Sequence, residues 1–343
     1  MKKRYTIPLG LLGLFAIGFA FGPKPDYRPF DGKLPELSLS LNELDDHIAQ
    51  QEAQVKNLKP DNQARIIWAD SIRKTEYSVV YLHGFSASAM EGRPVHQNFA
   101  ERFGANLYLA RLPEHGVDDK NSFKTLTPKK WIESAKEAIA IGKMLGDKLI
   151  LMSCSTGSPL AIYISSQNPD LVHAQIMYSP NIALFDGTSK ILTYPWGTQI
   201  GDQIFGGEYR TIEADPRYWT VEYHNNGVYA MMYLLEGTMQ PDIFQQIDEP
   251  LMMGYYYENE EAQDEIVSVE AMKWMFSEIS TPAEQKWDVA FPNVNSHVIA
   301  SDIGSKDWQS VQQKTIEFAE EVLGMQAIEK IVVSDSLNIE TVQ

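Results

Sequence analysis

Ser155 has the surroundings that most clearly suggest chemistry, because it lies where an apolar run gives way to a predicted helix. The residues two positions before and after it, Ser153 and Gly157, are both small. A serine on such a strand-to-helix turn exposes its hydroxyl at the sheet edge, and larger neighbours would collide across the turn. The usual motif is G-x-S-x-G, so Ser153 keeps the size rule but makes the motif less specific. The pattern predicts Ser155 as a nucleophile, with a serine-rich helix cap as the alternative.

A second motif, His83-Gly84-Phe85-Ser86, follows another predicted strand. Gly84 allows the backbone to turn so that the N–H of Phe85 can face the site. Paired with the N–H of Thr156, it would form an oxyanion hole for a tetrahedral intermediate. We expect His83 to order this loop rather than to transfer protons. The alternative is an ordinary turn.

These two motifs resemble those of the α/β-hydrolase superfamily. The similarity is greatest to carboxylesterase and monoacylglycerol-lipase-like members, whose first loop reads His-Gly-Phe or a close variant. Residues 111–116 are also similar to their loop after the next strand, and the resemblance covers roughly residues 60–325. It implies a nucleophile, an acid and a histidine in that order along the chain. Lipases, esterases, thioesterases and some peptidases share these features, so the resemblance does not specify a subfamily.

The family order leaves one histidine for the base, because His297 is the only histidine after His224. It lies just beyond the last predicted strand, where the family places its general base. The acid should follow the predicted strand 251–257, in a loop crowded with carboxylates. We choose Asp264 because residues 264–268 resemble the family's Asp-x-x-Val-Ser. The alternatives are Glu261 and Glu265.

The resemblance implies a Ser155–His297–Asp264 triad and an acyl-enzyme mechanism, which needs no metal or cofactor. The expected substrate is a small-molecule carboxylic ester. A peptidase or amidase with the same triad is an alternative, in which acidic residues of the insertion would hold a free amine; the candidates are Glu208, Glu213 and Glu222. A non-catalytic ligand-binding protein of the same fold is a third possibility.

Short apolar runs alternate with amphipathic stretches along the body of the chain. This predicts an α/β fold, with a mostly parallel sheet covered by helices on both faces. The predicted strands are 77–83, 107–112, 148–153, 173–178, 251–257 and 287–291. The predicted helices are 41–57, 95–103, 157–166, 268–279 and 310–323, with a further helix that Thr127 and Pro128 open and Gly146 closes. Ligands bind beyond the carboxyl ends of the strands in such sheets, and each motif above follows a strand.

One interval, residues 182–249, is too long for a simple crossover between two strands. It is rich in aromatic residues, and we expect a helical cap over the site. An apolar roof suits an acyl chain. The alternative is that these aromatic residues form the core of the cap itself.

Charge and cysteine content exclude several classes of function. The net charge is −17, which argues against binding nucleic acid. Cys154 is the single cysteine, so neither an internal disulfide nor a cysteine zinc site can form. Cys154 also occupies the wrong residue of the turn for a nucleophile. The sequence gives no indication of the oligomeric state.

The N-terminus suggests export from the cytoplasm. Lys2, Lys3 and Arg4 precede an uncharged apolar run over residues 5–23. This predicts residues 1–22 as a signal peptide or an uncleaved membrane anchor, placing the protein in the bacterial periplasm or cell envelope. The remaining divisions are a proline-rich linker over 23–40, a hydrolase domain over 41–325 and a C-terminal tail over 326–343.

Overall fold

A twisted, mostly parallel sheet forms the centre of the protein. The computed structural model describes residues 18–328. The strands in that range are β1 (Arg65–Ile67), β2 (Thr75–Leu82), β3 (Asn106–Leu109), β4 (Gly146–Cys154), β5 (Ala174–Tyr178), β6 (Tyr209–Thr211), β7 (Glu222–His224), β8 (Leu251–Tyr255), β9 (Tyr257–Asn259), β10 (Ala262–Gln263) and β11 (Lys286–Ala290). Seven of them form the central sheet in the order β1-β3-β2-β4-β5-β8-β11. The β1–β3 pair is antiparallel and the other pairs are parallel.

Helices cover both faces of this sheet. Those in the described range are α1 (Leu41–Glu52), α2 (Val95–Phe103), α3 (Pro128–Leu145), α4 (Gly157–Ser166), α5 (Gly197–Phe205), α6 (Asn226–Thr238), α7 (Pro241–Phe244), α8 (Val269–Glu278) and α9 (Trp308–Glu321). Successive residues of β2 enter opposite cores: Val80 packs with Trp131 of α3, and Val79 packs with Phe99 of α2 and Phe318 of α9. Alternate strand residues point to opposite faces, so apolar side chains at every position bury both faces.

The predicted parallel sheet with helices on both faces is confirmed, and most predicted elements agree with the observed ones within a few residues. The predicted start of α3 also has the expected chemistry, since the Thr127 side chain accepts a hydrogen bond from the Lys130 N–H at 3.2 Å. The sequence analysis missed β1 and the short β9–β10 hairpin. Both consist of two- or three-residue strands, which are too short to show a periodic pattern.

The insertion between β5 and β8 forms the cap. It contains α5, α6, α7 and a 3₁₀ helix at Gly187–Thr193, as expected for a mostly helical cap. It also contains the antiparallel β6–β7 hairpin, which the sequence analysis did not predict. Its aromatic residues divide between an interior and a surface: Tyr223 and Tyr229 are buried, whereas Tyr194 and Trp196 are exposed.

Residues 23–40 have no helix or strand, but they contact both the cap and the sheet domain. Lys24 pairs with Glu236 of α6 at 2.9 Å, and the Phe30 ring packs against Tyr163 of α4 with centroids 6.0 Å apart. Residues 1–17 of the predicted export segment and 329–343 of the predicted tail lie outside the described residues. None of the helices within 18–328 combines the length and apolar character that crossing a bilayer requires.

Candidate active site

The turn that carries Ser155 joins β4 to α4 in a strained conformation. Its φ is 50°, in the left-handed region that few non-glycine residues adopt. The end of β5 holds this turn: the Ser155 N–H donates to the Tyr178 carbonyl at 3.0 Å, and the Asn181 N–H donates to the Ser155 carbonyl at 3.1 Å. The side chain is thereby held at the carboxyl edge of the sheet, and Ser155 is only 6% exposed.

The two small neighbours of Ser155 fit this turn for different reasons. A methyl group at Gly157 would lie 2.0 Å from the Leu82 carbonyl oxygen, so no side chain is possible there. Ser153 is fully buried, and its hydroxyl forms a 2.9 Å hydrogen bond with that of Ser158. A serine therefore replaces the usual glycine without leaving a buried polar group unpaired.

His297 and Asp264 form a buried hydrogen-bonded pair. The Asp264 Oδ2 accepts from Nδ1 of His297 at 2.7 Å. The Asp264 Oδ1 accepts from the N–H groups of Ile266 and Val267 at 2.9 and 3.1 Å. The Asp264 side chain is 0% exposed and that of His297 is 16% exposed. The two glutamates weighed as alternative acids, Glu261 and Glu265, are exposed.

The environment of this pair favours its charged form. Burial raises the pKa of Asp264, but the attraction of His297 and three hydrogen bonds outweigh it and lower the pKa below the usual value. Burial lowers the pKa of His297, yet the charge and hydrogen bond of Asp264 and the charge of Glu91 raise it overall. The hydrogen bond assigns the proton to Nδ1, which leaves Nε2 free to act as a base.

Ser155 and His297 lie on loops that follow parallel strands and meet at the same edge of the sheet. Within residues 18–328, no hydrogen bond joins the Ser155 hydroxyl to the imidazole. Such bonds are often long in free enzymes and shorten when substrate binds. The structure therefore brings together the histidine and the acid as hydrogen-bonded partners, and it places the serine at the same edge without a direct bond.

The two N–H groups predicted for an oxyanion hole belong to Phe85 and Thr156. Neither has a protein acceptor within the described part of the chain. His83 holds the Phe85 loop, because its Nε2 accepts from the Leu112 N–H at 3.0 Å and its Nδ1 lies 2.9 Å from the Gly84 carbonyl oxygen. Burial lowers the pKa of His83 to about 4, so this imidazole is neutral at pH 7 and serves as a structural support.

The cap is attached directly to this loop. The Phe85 ring packs against Tyr223 of β7 with centroids 5.2 Å apart, and the Thr220 N–H donates to the Ser86 carbonyl at 2.7 Å. The Phe85 ring also contacts the sheet domain, through His115, Phe123 and Trp131. The cap and the loop that contains Phe85 and Ser86 therefore form one packed unit, which the sequence motifs did not reveal.

An apolar cavity of about 660 Å³ lies between the cap and the sheet domain. It is close to the Ser155 turn: the Asn181 N–H donates to the Ser155 carbonyl, and the following residues, Ile182–Phe185, line the cavity. Other apolar lining residues come from α6 and α8, namely Met232, Leu235, Ala271 and Trp274. A wider groove of about 1120 Å³ lies near the start of β4, at the opposite end of the sheet.

Glu91 is a buried carboxylate at the site that the sequence analysis missed. It lies in a 3₁₀ helix, Ala89–Gly92, is 2% exposed, and its Oε1 accepts from the Gly84 N–H at 2.5 Å. Nothing in the sequence marks it, since it follows a run of small polar and apolar residues without periodicity. Within the described residues, no group of three or more side chains is arranged to hold a metal ion.

The fold resembles solved structures of lipases and esterases. No family model and no curated protein sequence matches the chain. A structure from work on LipS and LipT, two metagenome-derived lipolytic enzymes, is 15% identical, with TM-score 0.61 over 76% of this chain and 98% of the other. The monoacylglycerol lipase of Paleococcus ferrophilus is 13% identical, with TM-score 0.54 over 74% and 96%. A soluble variant of the Saccharomyces cerevisiae monoglyceride lipase is 12% identical, with TM-score 0.55 over 75% and 91%.

The chain has the α/β-hydrolase fold. The fold class predicted from the sequence, a mostly parallel sheet flanked by helices, is confirmed. In this fold the edge that holds Ser155, His297 and Asp264 is also the edge where ligands bind.

Replacing Gly157 with Ala should distort the turn, because the added methyl group would collide with the backbone of Leu82. We expect the free energy of unfolding to fall by about 1–3 kcal/mol in urea denaturation. Gly187→Ala is the matched control, since a methyl group there meets nothing within 4 Å. Equal stability of the two variants would contradict the close approach of α4 to β2.

Replacing Asp264 with Asn should lower the pKa of the His297 imidazole by roughly one unit or more, because burial would then be opposed only weakly. The measurement is an NMR titration of the His297 ring in both proteins. Glu265→Gln is the control, since that carboxylate is exposed. A larger pKa shift in Glu265→Gln than in Asp264→Asn would show that Asp264 is not the carboxylate that pairs with His297.

Proposed function

We propose that this protein is a serine hydrolase that cleaves a small-molecule carboxylic ester. Ser155 would be the nucleophile, His297 the general base and Asp264 the acid that orients the histidine. The observation that carries this proposal is the 2.7 Å hydrogen bond between His297 and Asp264 at the sheet edge that also holds the strained Ser155 turn.

The reaction would proceed through two steps of acyl transfer. His297 Nε2 takes the Ser155 proton as the serine oxygen attacks the ester carbonyl. The Phe85 and Thr156 N–H groups stabilise the oxyanion, and both lack a protein acceptor within residues 18–328. His297 then gives its proton to the leaving alcohol, which departs and leaves an acyl-serine. His297 then takes a proton from the water that attacks this acyl group and gives it to the serine oxygen, which releases the carboxylic acid and regenerates Ser155.

The buried carboxylate makes His297 suitable for both roles. The imidazolium that forms after proton transfer is stabilised by Asp264, which keeps its own negative charge throughout. The two N–H donors from Ile266 and Val267 hold that carboxylate in place. The helix dipole of α4 adds a positive end near the oxyanion, because Thr156 precedes its first residue.

The apolar cavity favours an acyl chain over a peptide. Just over half of its lining residues are aliphatic or aromatic, which matches a hydrocarbon, and Lys190, Glu236 and Glu270 add charged groups to the lining. The acidic residues considered for holding a free amine, Glu208, Glu213 and Glu222, are exposed and do not line this cavity. Fold similarity to lipolytic enzymes supports the same choice.

We expect the protein to hydrolyse p-nitrophenyl esters and to prefer acyl chains that fit the cavity. Ser155→Ala should lower kcat/KM by roughly 10⁴-fold or more, because it removes the nucleophile. The measurement is release of p-nitrophenolate for acyl lengths from two to sixteen carbons.

Ser165→Ala is the matched control, since Ser165 lies at the other end of α4. Hydrolysis that persists in Ser155→Ala would reject the proposed nucleophile. A folded wild-type protein that cleaves amide substrates but no ester of any length would reject the ester assignment while leaving the triad intact.

A further inference from the structure

Glu91 is a buried carboxylate that forms no ion pair with a lysine or arginine of residues 18–328. Its Oε1 accepts from the Gly84 N–H at 2.5 Å, and the hydroxyl of Tyr81 lies 3.5 Å from the same oxygen. None of the ion pairs found in residues 18–328 includes it. Removing a carboxyl group from water without a cation costs free energy. A role beyond packing would account for this cost.

One contact of Glu91 reaches the oxyanion loop. Gly84 lies between the nucleophile and this carboxyl group: a methyl group there would be 3.0 Å from Ser155 Cβ and 3.2 Å from Glu91 Oε2. Gly84 immediately precedes Phe85, whose N–H is the proposed oxyanion donor. Glu91 holds the N–H of the peptide group before that donor, and His83 contacts the Gly84 carbonyl, which belongs to the same peptide group as the Phe85 N–H.

The segment that follows Glu91 is bound to the histidine loop. The Asp302 N–H donates to the Arg93 carbonyl at 2.9 Å, and the two side chains form an ion pair at 3.3 Å. Pro94 and Ser301 form an isolated antiparallel bridge. The turn of Glu91 is therefore fixed at one end to the oxyanion loop and at the other to the loop that carries His297.

The negative charge of Glu91 adds to the larger effect of Asp264 in raising the pKa of His297. The titratable and charged groups that face Glu91 from the surrounding elements are Tyr81 of β2, Cys154 of β4 and His297. The charge of Asp264 also raises the pKa values of Cys154 and His297. His96 of α2 packs on Tyr81 and is kept neutral by burial, which lowers its pKa to about 4. Burial raises the pKa of Glu91 to about 7, opposed by the Gly84 N–H and the attraction of His297.

We propose that Glu91 is a positioning residue that couples the oxyanion hole to the general base. Its carboxyl group fixes the Gly84–Phe85 backbone, and its charge, added to that of Asp264, supports the imidazolium of His297. This inference rests on the function proposed above. The two effects have different requirements: the first needs a hydrogen-bond acceptor, and the second needs a negative charge.

Two substitutions separate these effects. Glu91→Gln keeps an acceptor for the Gly84 N–H and removes the charge. Glu91→Met removes both the acceptor and the charge but keeps a side chain of similar size. In Glu91→Gln we expect the pKa of His297 to fall, but by less than in Asp264→Asn, because the imidazolium loses the weaker of its two counter-charges. The acid limb of the pH profile of ester hydrolysis should move to lower pH by the same amount. The kcat above pH 8 should stay within about threefold of wild type, since the acceptor is retained.

In Glu91→Met we expect kcat above pH 8 to fall on the order of 10²-fold with little change in KM, as when an oxyanion donor is lost.

The control is Glu249→Gln, which alters a half-buried carboxylate at the opposite end of the sheet. It should change neither the His297 pKa nor kcat. An NMR titration of His297 tests the charge effect without any substrate, so it decides this part even if esters are not hydrolysed or Glu91→Met does not fold. An unchanged His297 pKa in Glu91→Gln would overturn the proposal, and in an active enzyme so would equal kcat values for Glu91→Met and wild type. Neither result would affect the assignment of Ser155, whose test is the loss of hydrolysis in Ser155→Ala.

Discussion

The close approach of α4 to the end of β2 is the constraint on which the site depends. Because the helix begins within contact of the Leu82 carbonyl, position 157 can hold only a glycine, and Ser155 must adopt a left-handed backbone conformation. That geometry places the Thr156 N–H and the Gly84 loop beside the same side chain. The strain at Ser155 is offset by backbone hydrogen bonds from the end of β5, so a neighbouring strand stabilises the reactive conformation.

Burial gives the polar groups of this site their properties. Two carboxylates, Asp264 and Glu91, act on one imidazole from different loops, and both are nearly inaccessible to water. In such surroundings each charge has a stronger effect than it would at the surface. Asp264 is hydrogen-bonded directly to His297, and its pKa lies below the usual value, whereas burial dominates at Glu91 and raises its pKa to about 7. Direct contact with the imidazole therefore separates the behaviour of two groups with the same chemistry.

The sequence was sufficient to predict features that depend on local structure. The small residues around Ser155 and the Thr127 cap follow from steric and hydrogen-bonding rules within a few residues. The N–H donors that hold the Asp264 carboxylate come from residues 266 and 267, which explains why a short pattern could select this residue among several acids. These rules operate between neighbours in the chain, so the structure reproduces them closely.

Features that arise from contacts between distant segments could not be predicted in this way. The surroundings of Glu91 arise only because folding brings it against Gly84 and binds the residues after it to residues 301 and 302. The β6–β7 hairpin of the cap joins three-residue strands across a long connection, which leaves no periodic signal. The attachment of Phe85 to Tyr223 likewise depends on how the cap is packed.

The proposed function requires Ser155 to be a nucleophile that His297 activates. The most direct test is reaction with a fluorophosphonate ester, followed by intact mass measurement and peptide mapping. We predict a single phosphonyl group on Ser155, with labelling abolished in Ser155→Ala and strongly slowed in His297→Ala. A label on another residue, or no label on the folded wild-type protein, would contradict the account.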